Sequence, residues 1–372
     1  MIYRVMIMRK ILSGSAKSAA VMLLAAFCLA KPDIVKNAVS EALGRCIETV
    51  IPSLFAMLIV SGVIVQSGVH SRMPRAVDAF GRAVFGMEKG IFPIFVFSVF
   101  AGYPVGARML MSEYERGHIS KRRAELLSGV CFGAGPAFIF GCISGQLYGT
   151  AAAGRVILIS SLAADMILAM MIRFLPDGDT APPARPYIRR GGAMMTECVE
   201  SAGRAMRSIC LMILTFSVIS SMLGYVGADR TAGELVSHLS GISSGTSTAL
   251  FAAFLDVTAV EGLPHGSYAI LPFICAITSF GGVCVLFQVA AAVSGRISIQ
   301  PLIIMRLAAA VLSFMVSRII MPYMTDDIAV AVSSVSIHRE SSPVPSVMLV
   351  LMSFMVMSSH SLVSASRTTD NS

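Results

Sequence analysis

Two carboxylates, Asp256 and Glu261, stand in the stretch LDVTAVEGLP between apolar runs. An ionised carboxylate inside a membrane segment is expensive and belongs as a rule to a cation, a proton path or a polar solute. Either group can carry a coupling sodium ion or proton, or accept hydrogen bonds from donors on a solute. Their spacing does not place both on one helical face, which leaves one of them free to sit solvated at the rim. Thr258 and Ser279 carry hydroxyls that can ligate sodium or bond their own backbone. Gln288 can hydrogen-bond a solute or cap loose backbone groups, and Tyr103 can stack on a ring or anchor at an interface.

These side chains lie beside breaks in apolar sequence. Gly102, Pro104 and Gly106 interrupt SVFAGYPVGARML, and Gly133, Gly135 and Pro136 interrupt CFGAGPAFIFG. Asp256, Thr258 and Glu261 interrupt FLDVTAVEGLP, and Gly281–Gly282 interrupt the run that follows. Each unpaired backbone group in hydrocarbon costs several kcal/mol, so a broken segment must be buried in protein or line a wet cavity. Freed N–H and C=O groups and helix-end dipoles can then hold a polar solute or an ion. Kinks and close helix packing are the other common use of Gly and Pro in such segments.

The composition says which elements must position these groups. The chain has 372 residues, 55% apolar and 13% charged, with a mean hydropathy of +0.78. Soluble domains average about 25% charged residues. Apolar runs near the ~20 residues that cross a bilayer as helix lie at 13–31, 46–67, 127–149, 154–175, 207–227, 268–295 and 300–322. Segments 91–111 and 246–264 are apolar but interrupted. The expectation is an all-α polytopic membrane protein in contact with the lipid bilayer. The basic, apolar start (residues 1–30) resembles a secretory signal, but further spans follow, and an uncleaved first helix with a cytoplasmic N-terminus is expected. The run VPSVMLVLMSFMVMSS at 344–359 either spans or lies in the interface.

The net charge of +8 comes from short basic blocks between apolar runs, the pattern of cytoplasmic loops and not of nucleic-acid binding. If every segment crossed, the loops 70–89 and 112–125, both basic, would face opposite sides. A re-entrant hairpin at 91–111 keeps both inside, together with the basic linker 176–207, and GYPVGA becomes its tip. A second re-entrant hairpin at 246–264, entering from outside, makes the two halves inverted copies. IPSLFAMLIVSGVIVQSG at 51–68 then matches RSICLMILTFSVISSMLG at 207–224. The offset between matching segments stays near about 150 residues, and matched interrupted segments are a pointer to a transporter-like binding site.

The resulting plan has an N-terminal cytoplasmic segment and first helix (1–45) and a first repeat (46–150) with its hairpin and a broken helix at 127–149. A connecting helix and basic linker (151–206) lead to a second repeat (207–296) with its hairpin and a broken helix at 268–295. A last helix (297–322) and a tail (323–372) complete the chain. Residues 193–207 read as an amphipathic connector along the membrane surface.

Other chemistries find no residues. The eight cysteines form no C-x-x-C pair and mostly sit in apolar runs, against a zinc or disulfide framework. The six histidines are scattered, and no H-E-x-x-H, G-x-S-x-G or phosphate-loop pattern occurs. An enzyme is not expected, and no cofactor beyond a coupling Na+ or H+.

The stretches FAGYPVGARML, CFGAGPAFIFG, FLDVTAVEGLP and FGGVCVLFQ, in that order, resemble the nucleoside-recognition ("Gate") domain family, most closely its YlbJ-type sporulation integral membrane proteins. The resemblance runs from about residue 45 to 322. It implies paired Gate regions and recognition or passage of a small polar, nucleoside-like solute during assembly of the spore envelope or cortex. An asparagine usual before the Gly-Pro of the second motif is missing from FGAGP. The acidic-x-Thr-x-Gly form of the third is matched by Asp256 and Thr258, with Gly262 late. Central-cavity residues on this reading are Gly102, Tyr103, Pro104, Gly106, Gly133, Gly135, Pro136, Asp256, Thr258, Glu261, Ser279, Gly281, Gly282 and Gln288. A non-transporting scaffold or receptor in sporulation is the alternative, with a second copy of the chain or other envelope proteins as partners.

Overall fold

Apolar runs without helix breakers fold into long helices, and runs with breakers fold into short ones that meet end to end. The computed structural model describes residues 18–19, 21–175 and 192–324. In chain order the elements are α1 (Val21–Ala30), α2 (Pro32–Arg45), α3 (Ile51–Ser67), α4 (Arg75–Phe85), α5 (Ile91–Ala101), α6 (Val105–Glu115) and α7 (Lys121–Ser128). A π-helical segment, Ala137–Tyr148, and α8 (Ala151–Ile172) complete the first half. The second half holds α9 (Gly192–Val226), α10 (Ala228–Ser240), α11 (Ser244–Leu255), a 3-10 turn (Val257–Gly262), α12 (Leu271–Phe280), α13 (Gly282–Val293) and α14 (Gln300–Met324). No strand occurs among the described residues.

Five stretches are long and apolar enough to span a bilayer: Pro32–Ser67, Ala151–Ile172, Met194–Val226, Tyr268–Val293 and Gln300–Met324. The arrangement of side chains on α14 is inverted relative to a soluble protein. Ile304, Leu307, Val311, Met315 and Ile319 recur at helical spacing and are all exposed. Leu302, Arg306, Ala309, Ser313 and Ser317 on the other face are buried. In water this pattern would expose the greasy face and hide the polar one; in lipid both faces are satisfied. The protein is an all-α, multi-pass membrane protein.

Two helix groups enclose the broken segments. The helices α8, α12 and α14 pack against one another, with Ala137–Tyr148 against α8, and α9 packs against α2, α3 and α13. Where the short segments meet, Ile91, Ile94, Val105, Leu110, Ile139, Ile143, Leu271 and Ile274 are all fully buried.

Several sequence expectations take a different form. The run 127–149 is not one helix: α7 ends at Ser128, and helix resumes only at Ala137. Residues 193–207 are no separate connector but the first half of the 35-residue α9. Cys198, Ala202, Ala205 and Met206 are buried there, and this packing carries the helix straight on. In the region of 246–264, α11 stops at Asp256 and the return arm is only the 3-10 turn. The segment 344–359, the start of the chain and most of the linker 176–191 lie outside the described residues.

Candidate functional site

The breaks meet in pairs. Helix α5 ends at Gly102, with a positive φ of 77°, and α6 starts at Val105 and packs back against α5. The Gly102 backbone lies against the break after α7: a Cβ on Gly135 would stand 3.0 Å from the Phe100 carbonyl oxygen and 3.3 Å from Gly102 N. The second half repeats this contact. A Cβ on Gly282, at φ 80°, would stand 3.0 Å from Val257 N and 3.4 Å from the Phe254 carbonyl oxygen. Each interrupted hairpin thus presses its turn, backbone to backbone, on the break in the helix that follows it. Gly106 is buried against the Cys131 carbonyl; Gly133 and Pro136 are buried beside the same break, Pro136 opening the π-helical segment.

Freed carbonyls find partners inside the protein. Tyr103, the residue after the first break, donates its hydroxyl to the carbonyl of Thr278 near the end of α12. Its ring packs on Phe132, with centroids 4.7 Å apart. The Ser279 carbonyl accepts from Arg306 Nη1 at 3.1 Å, as does the Phe132 carbonyl at 3.4 Å. Arg306 Nη2 donates to Asp165 Oδ1 at 2.6 Å, and the guanidinium lies over the Phe132 ring at 5.0 Å. One fully buried arginine therefore satisfies carbonyls at both helix breaks, while a buried aspartate balances its charge. Among the described residues Ser279 Oγ itself has no hydrogen-bond partner.

A small cavity of about 50 Å³ sits where the breaks converge. Gly102, Tyr103, Gly135, Asp256, Thr258 and Gln288 line it, joined by Thr49, Ser53 and Leu54 of the α2–α3 helix. Residues from every one of the four interrupted stretches or their continuations are brought together here. Asp256 is 3% exposed. Its Oδ1 accepts from Thr258 N at 3.1 Å and its Oδ2 from Thr258 Oγ1 at 2.8 Å. That arrangement caps the 3-10 turn and fixes the carboxylate at the cavity wall. The Thr258 hydroxyl bonds the carboxylate and not a backbone carbonyl.

Glu261 goes elsewhere. It is half-buried and accepts from Cys142 Sγ at 3.2 Å on the π-helical segment, outside the cavity lining. Arg45, at the end of α2, acts electrostatically on Asp256, as Glu261 does. Ser279, Gly281 and Gly282 support the breaks and do not line the cavity.

A larger cleft of about 590 Å³ adjoins the small cavity, sharing Ile209 and Gln288 with it. Pro104 lines the cleft, with Arg108 and Glu115 of α6, Ser201 and Arg204 of α9, and Arg296 beyond α13. Ser112 and Glu115, within the basic segment 112–125, are among the residues that line it.

The volumes separate the two chemically. A water molecule takes about 30 Å³ of the liquid, so the small cavity has room for an ion or a water. Small-molecule sites occupy about 300–1,000 Å³, the range of the cleft. Sequence reasoning missed Arg306 and Asp165, although each is a charged residue within an apolar run and so carried the same warning as Asp256. Compared with models of known families, with curated proteins and with solved structures, the chain matches none.

Proposed function

We propose that the protein recognises and moves a small polar solute across the cell membrane, with a coupling sodium ion or proton held at Asp256. The observation that carries this reading is the convergence of the interrupted segments on a cavity walled by the Asp256 carboxylate, next to a solute-sized cleft on one side. A buried carboxylate at the meeting point of broken helices is the arrangement expected of a coupling site. The solute occupies the cleft, and Gln288, common to both spaces, links its occupancy to that of the cation site.

The two halves act as inverted copies on this reading. Short apolar α5 and α11, of 11 and 12 residues, precede a break in each half. The π-helical segment and α13, of 12 residues each, follow a second break. A long helix, α8 or α14, comes next, and these two pack together. The family resemblance adds a nucleoside-like solute and a role in building the spore envelope or cortex. On this reading the basic loops face the cytoplasm, with the N-terminus and the cleft on the same side, as the bias of Lys and Arg toward cytoplasmic loops supports.

Proteoliposomes test the proposal. Labelled nucleosides and nucleotides are offered with and without sodium and proton gradients, to the wild type, Asp256→Asn and Glu261→Gln. Gradient-driven uptake is expected in the wild type, lost in Asp256→Asn and retained in Glu261→Gln. Folded wild-type protein that accumulates none of them under any gradient overturns solute movement of this class and favours a scaffold or receptor.

A further inference from the structure

The charged groups of the cleft are unevenly matched. Arg108, Arg204 and Arg296 line it from three elements, against a single carboxylate, Glu115. Glu115 is engaged by Arg296 in an ion pair. Arg204 reaches Glu200 at 3.7 Å, with both side chains largely exposed, and such a pair is weak in solvent. Arg108 is half-buried and contacts no carboxylate among the described residues; its Nη2 donates to Ser201 Oγ at 3.0 Å and to the Ser201 carbonyl at 3.4 Å. Arg108 and Arg204 also lie close enough to repel each other.

A guanidinium offers five N–H donors, and only one nitrogen of Arg108 is engaged. Two arginines that repel at a cleft, one without a carboxylate partner among the described residues and the other in a weak, exposed pair, are stabilised by an anion placed between them. A phosphate monoester carries about −1.5 to −2 charges at pH 7 and matches two such arginines, where a carboxylate would leave one unbalanced. Guanidinium binds phosphate oxygens bidentately, and the Ser201 and Ser208 hydroxyls are at hand for the remaining oxygens.

We infer that the cleft is a phosphate-binding site, with Arg108 and Arg204 as its principal ligands, so that the solute carries a phosphate group. The second statement rests on the proposal that the cleft takes the solute. The phosphate itself could come from a soluble ester or from a lipid headgroup.

The test uses purified full-length protein in nanodiscs of phosphatidylcholine. Inorganic phosphate, uridine 5′-monophosphate and uridine are titrated while the unfolding temperature and the heat of binding are followed. Phosphate and the monophosphate should bind and uridine should not. Arg108→Gln should weaken binding by about tenfold or more, the scale of a lost charge-assisted hydrogen bond. Arg204→Gln, an exposed position where folding is not at stake, should weaken it less. Glu115→Gln, which frees Arg296, should tighten it, a gain that a merely structural role for these residues would not produce.

A parallel set of nanodiscs containing phosphatidylglycerol identifies the source. Stabilisation by that lipid alone, lost in Arg108→Gln and Arg204→Gln, assigns the phosphate to a headgroup. Absence of any response to phosphate, monophosphate or lipid overturns the inference, as does binding unchanged in both arginine variants. Uptake of uncharged nucleosides without phosphate binding would remove this inference and leave transport standing; phosphate binding without uptake would do the reverse.

Discussion

The pair formed by Arg306 and Asp165 decides more of the local structure than any residue chosen for its chemistry. It joins α14 to α8 and ties down carbonyls at the two helix breaks, at Phe132 and Ser279. Removing one partner of a buried pair leaves the other charge uncompensated, at a cost of about 3–5 kcal/mol. Asp165→Asn should therefore lower the free energy of unfolding in detergent by about that amount, read from denaturant titrations. Joint replacement with Asp165→Leu and Arg306→Met should recover much of the loss in the pair, though not the carbonyl contacts. Asp256 should behave differently. Among the described residues its carboxylate is hydrogen-bonded by Thr258 alone, so Asp256→Asn keeps the shape of the turn and should alter the melting temperature little while, on the transport reading, abolishing coupling. Asp256 was legible in the sequence because a carboxylate in an apolar run is costly. The pairing of Arg306 with Asp165 and the Phe132 carbonyl was not, since these lie 141 and 174 positions away and the packing of α8, α12 and α14 brings them together.

Among the elements, the broken segments were legible and their lengths were not. Gly and Pro marked three of the four interruptions, because those residues continue a helix poorly, and the carboxylates and hydroxyl of Asp256, Thr258 and Glu261 marked the other. Nothing in CFGAGP shows that α7 stops as early as Ser128, for that depends on backbone packing between the Gly102 and Gly135 turns. Such contacts make testable demands. Gly282→Ala forces a Cβ onto Val257 N at a left-handed φ, and should cost about 1–3 kcal/mol while displacing the Asp256 turn. Gly262→Ala, with open space around it, should stay within about 0.5 kcal/mol, and thermal melts of the two variants give the comparison. A second device ties α6 to its flanking loops. Glu113, 1% exposed, meets His118 Nδ1 at 2.7 Å and His70 Nε2 at 3.3 Å. Burial pushes its carboxyl up, but the bonds and charges of the two histidines outweigh this and hold it below the ordinary 4.5. A folded-state value below the unfolded one stabilises the protein above about pH 4.5, and this contribution is lost as pH falls through the lower folded value. Unfolding midpoints between pH 7 and pH 3 should show that decline, and Glu113→Gln should remove this part of it.

At the scale of the whole molecule, the solute-sized cleft is lined by Ser112 and Glu115 of the basic segment 112–125 and by Ser201 and Arg204 of α9. The cleft beside α6 and α9 leads inward to Gln288, and behind Gln288 the space narrows to the small Asp256 cavity. A protein that moves its solute by rocking one half on the other must also populate the opposite arrangement, with this cleft closed. Single cysteines can read that change. Cys28 and Cys210, the partly exposed native thiols, are first replaced by Ala. Ser112→Cys and Ser201→Cys then place reporters in the cleft, and Glu48→Cys, at an exposed position in the join between α2 and α3, serves as a reporter outside it. An impermeant thiol reagent should label the cleft positions only from the side of the basic segment 112–125. Under a solute gradient that populates the opposite arrangement, labelling of Ser112→Cys and Ser201→Cys should slow together, while Glu48→Cys is unaffected by closure of the cleft. Equal labelling of the cleft positions with and without solute would mean a fixed recess, which is the behaviour of a receptor and not of a carrier. Since α14 and α12 both pack on α8, a rocking motion would have to carry those three helices together or break the Arg306–Asp165 pair that joins α14 to α8.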